Sequence, residues 1–269
     1  MDRASHEGAG TMIGIIDSGF GGLSIYQSLN TLLPSESTIY IGDHAYIPYG
    51  EKSKKQIQQR VKKLILFLQK NAVTLIVVAC NTATVAGIDV YRKWFPTIPI
   101  VGVVPVIKTA VEQTKTKQIC ILSTPFTATS AYQKELIRQF GDGCVVYNVG
   151  CPNLVSYVEK GILTGPDIEK ELRTILVSVK RNNVDVIALG CTHYPFLKDQ
   201  IRAIVGEDVT ILDSGGAVAR QVARIIKHNH MKTIGATRHI FYSTQRSPNV
   251  STIASLLLKK EVSIDYANI

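Results

Sequence analysis

Short, almost entirely apolar segments that run directly into small or hydroxylated residues restrict the fold of this chain more than any other feature. Thr74–Ala79 and Val184–Leu189 are nearly continuously apolar, which is typical of strands covered on both faces. Longer amphipathic segments, such as Lys54–Lys70 and Gly215–Lys227, lie between the predicted strands. This alternation predicts an α/β protein built around mostly parallel sheets.

The same pattern predicts nine strands. They are Thr11–Ile16, Thr38–Gly42, Val73–Ala79, Ile98–Val103, Gln118–Leu122, Val145–Val149, Val184–Leu189, Val209–Leu212 and His239–Tyr242. With 269 residues, the chain is long enough for one large domain or two modest ones. The proline-containing segment Phe95–Pro99 separates a predicted helix from the next strand, so we place a domain boundary near residue 100.

Two pairs of similar sequence motifs, here called echoes, indicate that the chain contains two similar α/β units. One predicted strand runs into Cys80-Asn81-Thr82, and another, 111 residues later, runs into Cys191-Thr192-His193. A second echo pairs Asp17-Ser18-Gly19 with Asp213-Ser214-Gly215, again after a strand and before a helix. Each unit therefore offers one thiol at the end of a strand.

A cysteine in this position is a candidate thiolate. Sites in open α/β sheets form outside the carboxyl ends of the strands. A following helix start supplies free N–H groups and partial positive charge, which lower the pKa of a thiol. The alternative is that Cys80 and Cys191 are small buried hydrophobic residues. We interpret Cys120, Cys144 and Cys151 as structural.

Other residues near the strand ends have both a functional and an ordinary interpretation. The glycine-rich segment after Asp17 predicts a tight turn that brings N–H groups close to a ligand, although Asp17 could equally cap a helix. It is neither GxGxxG nor a P-loop, so nucleotide binding is poorly supported. His193 could act in acid–base chemistry or simply begin a helix, and Glu159, near a helix end, could lie on the surface. Metal binding by these residue types is a rival use, but their wide spacing argues against it.

Composition limits the partners and the compartment. Thirty Lys and Arg against 21 Asp and Glu give a formal charge of +9, which favours anionic partners without choosing among them. The densest basic run, from Lys52 to Lys63 and including Arg60, falls on a predicted helix and reads as a solvated face, so we do not expect a nucleic-acid partner. Five widely spaced cysteines with no CxxC pair argue against disulfides or structural zinc. The sequence contains no secretory signal and no membrane span, so we expect a cytoplasmic protein.

Five motifs occur along the chain in order: Asp17-Ser-Gly-Phe-Gly-Gly22, Asp43 with Pro48-Tyr-Gly50, Ala79-Cys-Asn-Thr82, Cys151-Pro152 with Glu159, and Gly190-Cys-Thr-His-Tyr-Pro195. In these motifs the chain closely resembles the glutamate racemases, cofactor-independent members of the aspartate/glutamate racemase superfamily, from residue 12 to about 225. The paired Cys-Asn-Thr and Cys-Thr-His motifs favour glutamate over aspartate. Phe20 stands where valine is usual in this family, His44 where threonine is usual, and Ser123 where glycine is usual.

The resemblance implies two α/β domains with the active site in the cleft between them, and no cofactor or metal. The C-terminal segment would return to the first domain, giving a first domain of 1–100 plus 208–269, with 1–11 flexible, and a second of 101–207. Cys80 and Cys191 would be the two bases, assisted by Asp17, His193 and Glu159. The substrate would be held by Asp17, Ser18, Tyr49, Gly50, Asn81, Thr82, Thr124, Thr127, Thr192 and His193.

Two bases suit racemisation, because the Cα proton leaves one face and a proton returns to the other. By family analogy, Cys80 deprotonates D-glutamate and Cys191 deprotonates L-glutamate. The implied role is to supply D-glutamate for peptidoglycan in a bacterial cytoplasm, and we expect a homodimer.

Other readings stay open. An aspartate or hydantoin racemase, or a maleate-isomerase-like enzyme that uses cysteine as a nucleophile, would keep the fold. A regulatory protein that binds DNA gyrase is the alternative from another class. Some glutamate racemases are thought to bind gyrase through an N-terminal extension, and here about eleven residues precede the first predicted strand.

Overall fold

Two separate parallel sheets organise the chain. A computed structural model describes residues 10–233 and 235–269. The first sheet has the order β10-β9-β2-β1-β3-β4. Its strands are β1 (Met12–Asp17), β2 (Ser37–Gly42), β3 (Leu75–Val78), β4 (Ile100–Gly102), β9 (His239–Ser243) and β10 (Asp265–Tyr266). The second sheet has the order β6-β5-β7-β8, from strands β5 (Gln118–Ser123), β6 (Val145–Gly150), β7 (Val186–Gly190) and β8 (Thr210–Leu212). All pairings are parallel, so the predicted fold class is confirmed.

All nine predicted strands are present, with ends that differ by at most two residues. The tenth strand, β10, was missed because two residues are too few to produce a detectable alternation of polar and apolar side chains.

The helices follow the strands in alternation. They are α1 (Leu23–Leu32), α2 (Lys54–Lys70), α3 (Asn81–Trp94), α4 (Ile107–Gln113), α5 (Pro125–Thr129), α6 (Ala131–Phe140), α7 (Leu154–Glu159), α8 (Pro166–Arg181), α9 (Lys198–Val205), α10 (Gly215–His228) and α11 (Asn249–Leu258), with 3₁₀ turns at Tyr49–Glu51 and Tyr194–Leu197. The amphipathic segments predicted as helices are α2 and α10. Helix α2 begins at a capping box, in which Ser53 and Gln56 satisfy each other's backbone N–H groups.

Strand β1 lies in the interior of the first sheet and is buried on both faces. Ile13 and Ile15 join the hydrophobic cluster that contains Leu23 of α1, whereas Ile16 joins the cluster that contains Leu64 of α2. Every one of these side chains is inaccessible to solvent. The near-continuous apolar sequence of this strand is therefore explained by cover on both sides.

The chain crosses between the sheets twice, after β4 and after β8. Ser214 in the second crossing donates a hydrogen bond to the carbonyl of Val104 in the first, at 2.6 Å. Strands β9 and β10 then complete the first sheet beside β2. Because β8 pairs with β7, the second sheet extends to Leu212, five residues beyond the predicted domain boundary at 207.

The predicted flexibility of residues 1–11 falls largely outside the described residues. Thr11, which is described, is buried and hydrogen-bonded to the carbonyl of Lys232. Among residues 10–233 and 235–269, no helix is both long and apolar enough to cross a membrane.

Candidate active site

A cavity of about 570 Å³ lies where strand ends of both sheets meet. Ser18 follows β1 and Cys80 lies just beyond β3 in the first sheet, while Thr124 follows β5 and Cys191 follows β7 in the second. Both cysteines line this cavity, although only 5% of Cys80 and 6% of Cys191 is exposed. The two strand-end thiols thus belong to a single site formed by both sheets.

Most residues predicted for the site line the cavity. They are Ser18, Tyr49, Gly50, Cys80, Asn81, Thr82, Thr124, Glu159, Cys191, Thr192 and His193. Asp17 and Thr127 do not line it, since both are wholly buried behind the wall. Pro48 and Pro152, quoted above only as parts of motifs, also line the cavity. So do six residues that no motif contained: Ile47, Glu51, Pro125, Asn153, Val155 and Ser156. Most of these adjoin quoted motifs, and adjacency was the available signal.

The Cys80 thiol lies at the N-terminus of α3. Its sulfur accepts a hydrogen bond from the backbone N–H of Ala83 at 3.5 Å and donates to Ser18 Oγ at 3.6 Å. Burial and the nearby Asp17 nonetheless raise the pKa of Cys80 to about 12, more than these hydrogen bonds lower it. At Cys80, desolvation therefore raises the pKa by more than the hydrogen bond from the start of α3 lowers it.

Cys191, His193 and Glu159 form a hydrogen-bonded chain. Nδ1 of His193 lies 3.6 Å from Cys191 Sγ, and Nε2 lies 2.6 Å from Glu159 Oε1. Burial lowers the pKa of His193, but the hydrogen bonds with Cys191 and Glu159 hold it well above its usual value. Burial also raises the pKa of Glu159, and the bond from His193 brings it below its usual value. An imidazolium here donates towards the Cys191 sulfur, and such a donor stabilises a thiolate.

The glycine-rich turn after Asp17 lets the two halves of the molecule approach closely. A Cβ on Gly19 would overlap Glu159, and one on Gly21 would overlap His193. The backbone N–H of Gly19 donates to Asp17 Oδ2 at 2.8 Å, and that of Phe20 donates to Glu159 Oε1 at 2.6 Å. These two N–H groups therefore bind carboxylates of the protein, contrary to the prediction that the turn offers them to a ligand.

Asp17 is a buried carboxylate held from two sides. Besides Gly19, it accepts a hydrogen bond from Thr192 Oγ1 at 3.3 Å. Burial raises its pKa, although the charge of His193 opposes the shift. In the matching segment, Asp213 accepts a hydrogen bond from the N–H of Gly215 at 2.8 Å, so the two Asp-Ser-Gly segments share this contact. The second contact differs: Asp17 accepts from Thr192, whereas Asp213 forms an ion pair with Lys198.

Tyr49 lines the cavity and is fixed from behind by a buried ion pair. Its hydroxyl donates to Asp43 Oδ2 at 2.6 Å, and Arg60 donates to the same carboxylate through Nε and Nη2. Thr244 Oγ1 adds a further bond at 2.7 Å. Arg60 is thus buried within a site network, which corrects its interpretation as part of a solvated basic face.

Threonine hydroxyl groups form hydrogen bonds between the two halves of the molecule beside the cavity. Thr82 Oγ1 lies 3.0 Å from Thr124 Oγ1 and 3.3 Å from Thr127 Oγ1. Beside them, the Asn81 amide nitrogen donates to the carbonyl of Val103, while its Oδ1 is buried without a hydrogen-bond partner among the described residues. The wall therefore presents hydroxyl-bearing side chains to the cavity, whereas Oδ1 of Asn81 has no exposed surface there.

The remaining cysteines lie outside the cavity. Cys120 and Cys151 are buried, and Cys144 is partly exposed. Within the described ranges, no group of three or more His, Cys, Asp and Glu side chains is arranged to hold a metal ion.

The family model for Asp/Glu/Hydantoin racemase matches residues 13–222, the greater part of the chain. The chain belongs to this racemase family. It is therefore an amino-acid racemase, an isomerase. It is 37% identical over 236 residues to glutamate racemase from Pseudomonas putida strain KT2440, covering 88% of this chain and 89% of the relative.

Solved racemase structures share the whole architecture. The glutamate racemase isoform RacE1 of Bacillus anthracis superposes with a TM-score of 0.88 at 30% identity, covering 96% of this chain and 98% of that one. Escherichia coli glutamate racemase, in complex with L-glutamate and the activator UDP-MurNAc-Ala, gives a TM-score of 0.85 at 31% identity, covering 95% and 97%. The resemblance identified from the motifs is confirmed.

Proposed function

We propose that this racemase interconverts L- and D-glutamate by moving the Cα proton between Cys191 and Cys80. The observation that carries the proposal is that these two thiols line one cavity from opposite sheets. The glutamate racemases of Pseudomonas putida and Bacillus anthracis resemble this chain over most of its length, and they support glutamate as the substrate.

Each proton transfer is balanced by the opposite cysteine. In the direction from L to D, the Cys191 thiolate removes the Cα proton and becomes a thiol. The Cys80 thiol gives its proton to the other face of Cα and becomes a thiolate. In the reverse direction the two cysteines exchange roles, so no group is consumed.

The raised pKa of Cys80 fits its role as the acid in this first direction. With its pKa raised to about 12, chiefly by burial and then by the charge of Asp17, this thiol keeps its proton at neutral pH. The α-ammonium of a bound amino acid, brought into the same cavity, opposes this shift electrostatically. The substrate would therefore complete the site that deprotonates it.

Polar groups in the walls suit the carboxylate end of an amino acid. The hydroxyls of Ser18 and Thr82 can donate to a carboxylate on which charge develops as the Cα proton leaves. We propose that this environment, without a cofactor, stabilises the intermediate in a water-excluding cleft.

The wider setting rests on the resemblance. We propose that the D-glutamate supplies peptidoglycan synthesis in the cytoplasm, that the enzyme is a homodimer, and that the two sheets are the cores of two domains. Analytical ultracentrifugation tests the dimer, and a pull-down with gyrase at physiological salt tests the alternative partner.

Circular dichroism of D-glutamate in heavy water tests the function. The metal-stripped enzyme, without added pyridoxal phosphate, is expected to abolish the optical signal while deuterium enters Cα. If the enzyme racemises aspartate but not glutamate, the proposal that glutamate is the substrate is wrong. A covalent substrate adduct in the mass spectrum would favour the nucleophilic, maleate-isomerase-like alternative.

A further inference from the structure

Glu159 lies between two imidazole rings, one from each sheet's half of the molecule. His193, after β7, contacts Oε1 at 2.6 Å, and His44, after β2, faces Oε2 with its Nε2 at 3.9 Å. His44 is 6% exposed and does not line the cavity. Its ring packs against Phe20, with the ring centroids 4.2 Å apart.

Hydrogen bonding fixes the tautomer of His44. Nδ1 lies 3.1 Å from the carbonyl oxygen of Gly42, which can only accept. Nδ1 also lies 3.1 Å from Ser243 Oγ, whose own hydrogen is directed to the carbonyl of Gln245. Both neighbours therefore require Nδ1 to carry the proton.

In neutral His44, Nε2 therefore carries no proton, and its lone pair faces the carboxylate of Glu159. This nitrogen is buried and has no hydrogen-bond partner among residues 10–233 and 235–269. Three carboxylates act on the ring electrostatically: Glu159, Asp17 and Asp43, the last already paired with Arg60. A proton on Nε2 would convert a mild repulsion into an ion pair with Glu159.

We infer that His44 is a positioning residue that sets how firmly Glu159 holds His193. While His44 is neutral, Glu159 is left to His193 and the Phe20 N–H. Once Nε2 is protonated, it draws the carboxylate towards itself and loosens the alignment of His193 on Cys191. Burial lowers the pKa of His44, more than Glu159 raises it, so this change occurs on the acid side of neutrality. The inference rests on the proposed function.

Two substitutions separate the functions of the ring nitrogens. His44→Asn retains a short amide donor for Gly42 and places nothing opposite Glu159. His44→Gln extends an amide N–H towards Oε2 but cannot titrate. Circular dichroism and thermal unfolding of both variants check that the fold is retained.

The measurement is kcat and KM for both enantiomers between about pH 5 and 8, where histidine titrates. In the unsubstituted enzyme, kcat is expected to fall by up to about tenfold per pH unit below the His44 ionisation, with little change in KM. Both variants should lack this decline. Equal acid limbs in all three proteins, or an effect confined to KM, would overturn the role of His44.

NMR of ¹⁵N-histidine in the unsubstituted enzyme gives a second test, which does not depend on variants that fold. We expect the His44 signals to report an Nδ1–H tautomer at neutral pH and a proton gained on Nε2 below it. An Nε2–H tautomer would contradict the inference. Failure of the proposed function is distinguishable, because it removes glutamate racemisation at every pH.

Discussion

Nε2 of His193 and Oε1 of Glu159 lie 2.6 Å apart, although 34 residues separate them in the sequence. Glu159 is the last residue of helix α7, and His193 follows strand β7; both elements belong to the half of the molecule built around the second sheet. The glycine-rich turn after Asp17, in the other half of the molecule, contacts this pair because the N–H of Phe20 donates a hydrogen bond to Glu159. The orientation of His193 beside Cys191 therefore depends on Glu159, which also forms a contact between the two halves of the molecule.

Glu159→Gln should destabilise the fold most in mildly acidic solution. The raised pKa of His193 gives stability that is complete below 6.5 and lost as pH rises through its folded value. The lowered pKa of Glu159 gives stability present above 4.5 and lost as pH falls through its folded value. Urea unfolding should show a loss of about 3 kcal/mol between these limits and less outside them. A loss independent of pH would contradict the ion pair.

Cys80→Ser and Cys191→Ser should each reduce racemisation by about a thousandfold or more, since a serine hydroxyl is a far weaker acid than a thiol. Circular dichroism of the substrate measures the activity, and thermal unfolding checks the fold. Cys144→Ser is the matched control, because this partly exposed cysteine lies outside the cavity. Near-normal turnover by either variant of the cavity cysteines would exclude the two-base mechanism.

Asp17→Asn should slow proton exchange from the two enantiomers unequally. After burial, the charge of Asp17 is the next cause that raises the pKa of Cys80, and Asp17 also accepts from Thr192 on the Cys191 side. Single-turnover exchange into heavy water separates the two enantiomers. Equal slowing would mean that Asp17 is purely structural, and the equilibrium constant stays at one in either case.

Thr82→Val and Thr127→Val distinguish a lining hydroxyl from a supporting one. Thr82 lines the cavity, so its loss should lower kcat/KM by roughly tenfold, the effect of about 1.4 kcal/mol. Thr127 is buried behind Thr82, so its loss should cost about 1 kcal/mol of stability while kcat/KM changes little. Similar kinetic losses in both variants would restore Thr127 as a direct substrate contact.

Arg60→Met should destabilise the protein by about 3 to 5 kcal/mol, because it leaves the Asp43 carboxylate buried without its cation. Denaturant unfolding measures the loss. Lys63→Met, on the same helix, is the control for loss of charge alone and should be nearly neutral. Since Asp43 also holds Tyr49, any folded Arg60→Met protein should show a raised KM.

The sequence by itself determined the elements and the chemistry at their ends. Apolar strands followed by Cys80 and Cys191 are local patterns, and periodicity and capping act over a few residues, so they are readable from the chain. Contacts between the sheets are not local. Packing decided that Glu159 contacts His193, that Asp17 and Thr127 lie behind the wall, that Arg60 is buried, and that His44 faces Glu159. These distances depend on how two separate sheets meet, and no spacing along the chain encodes that.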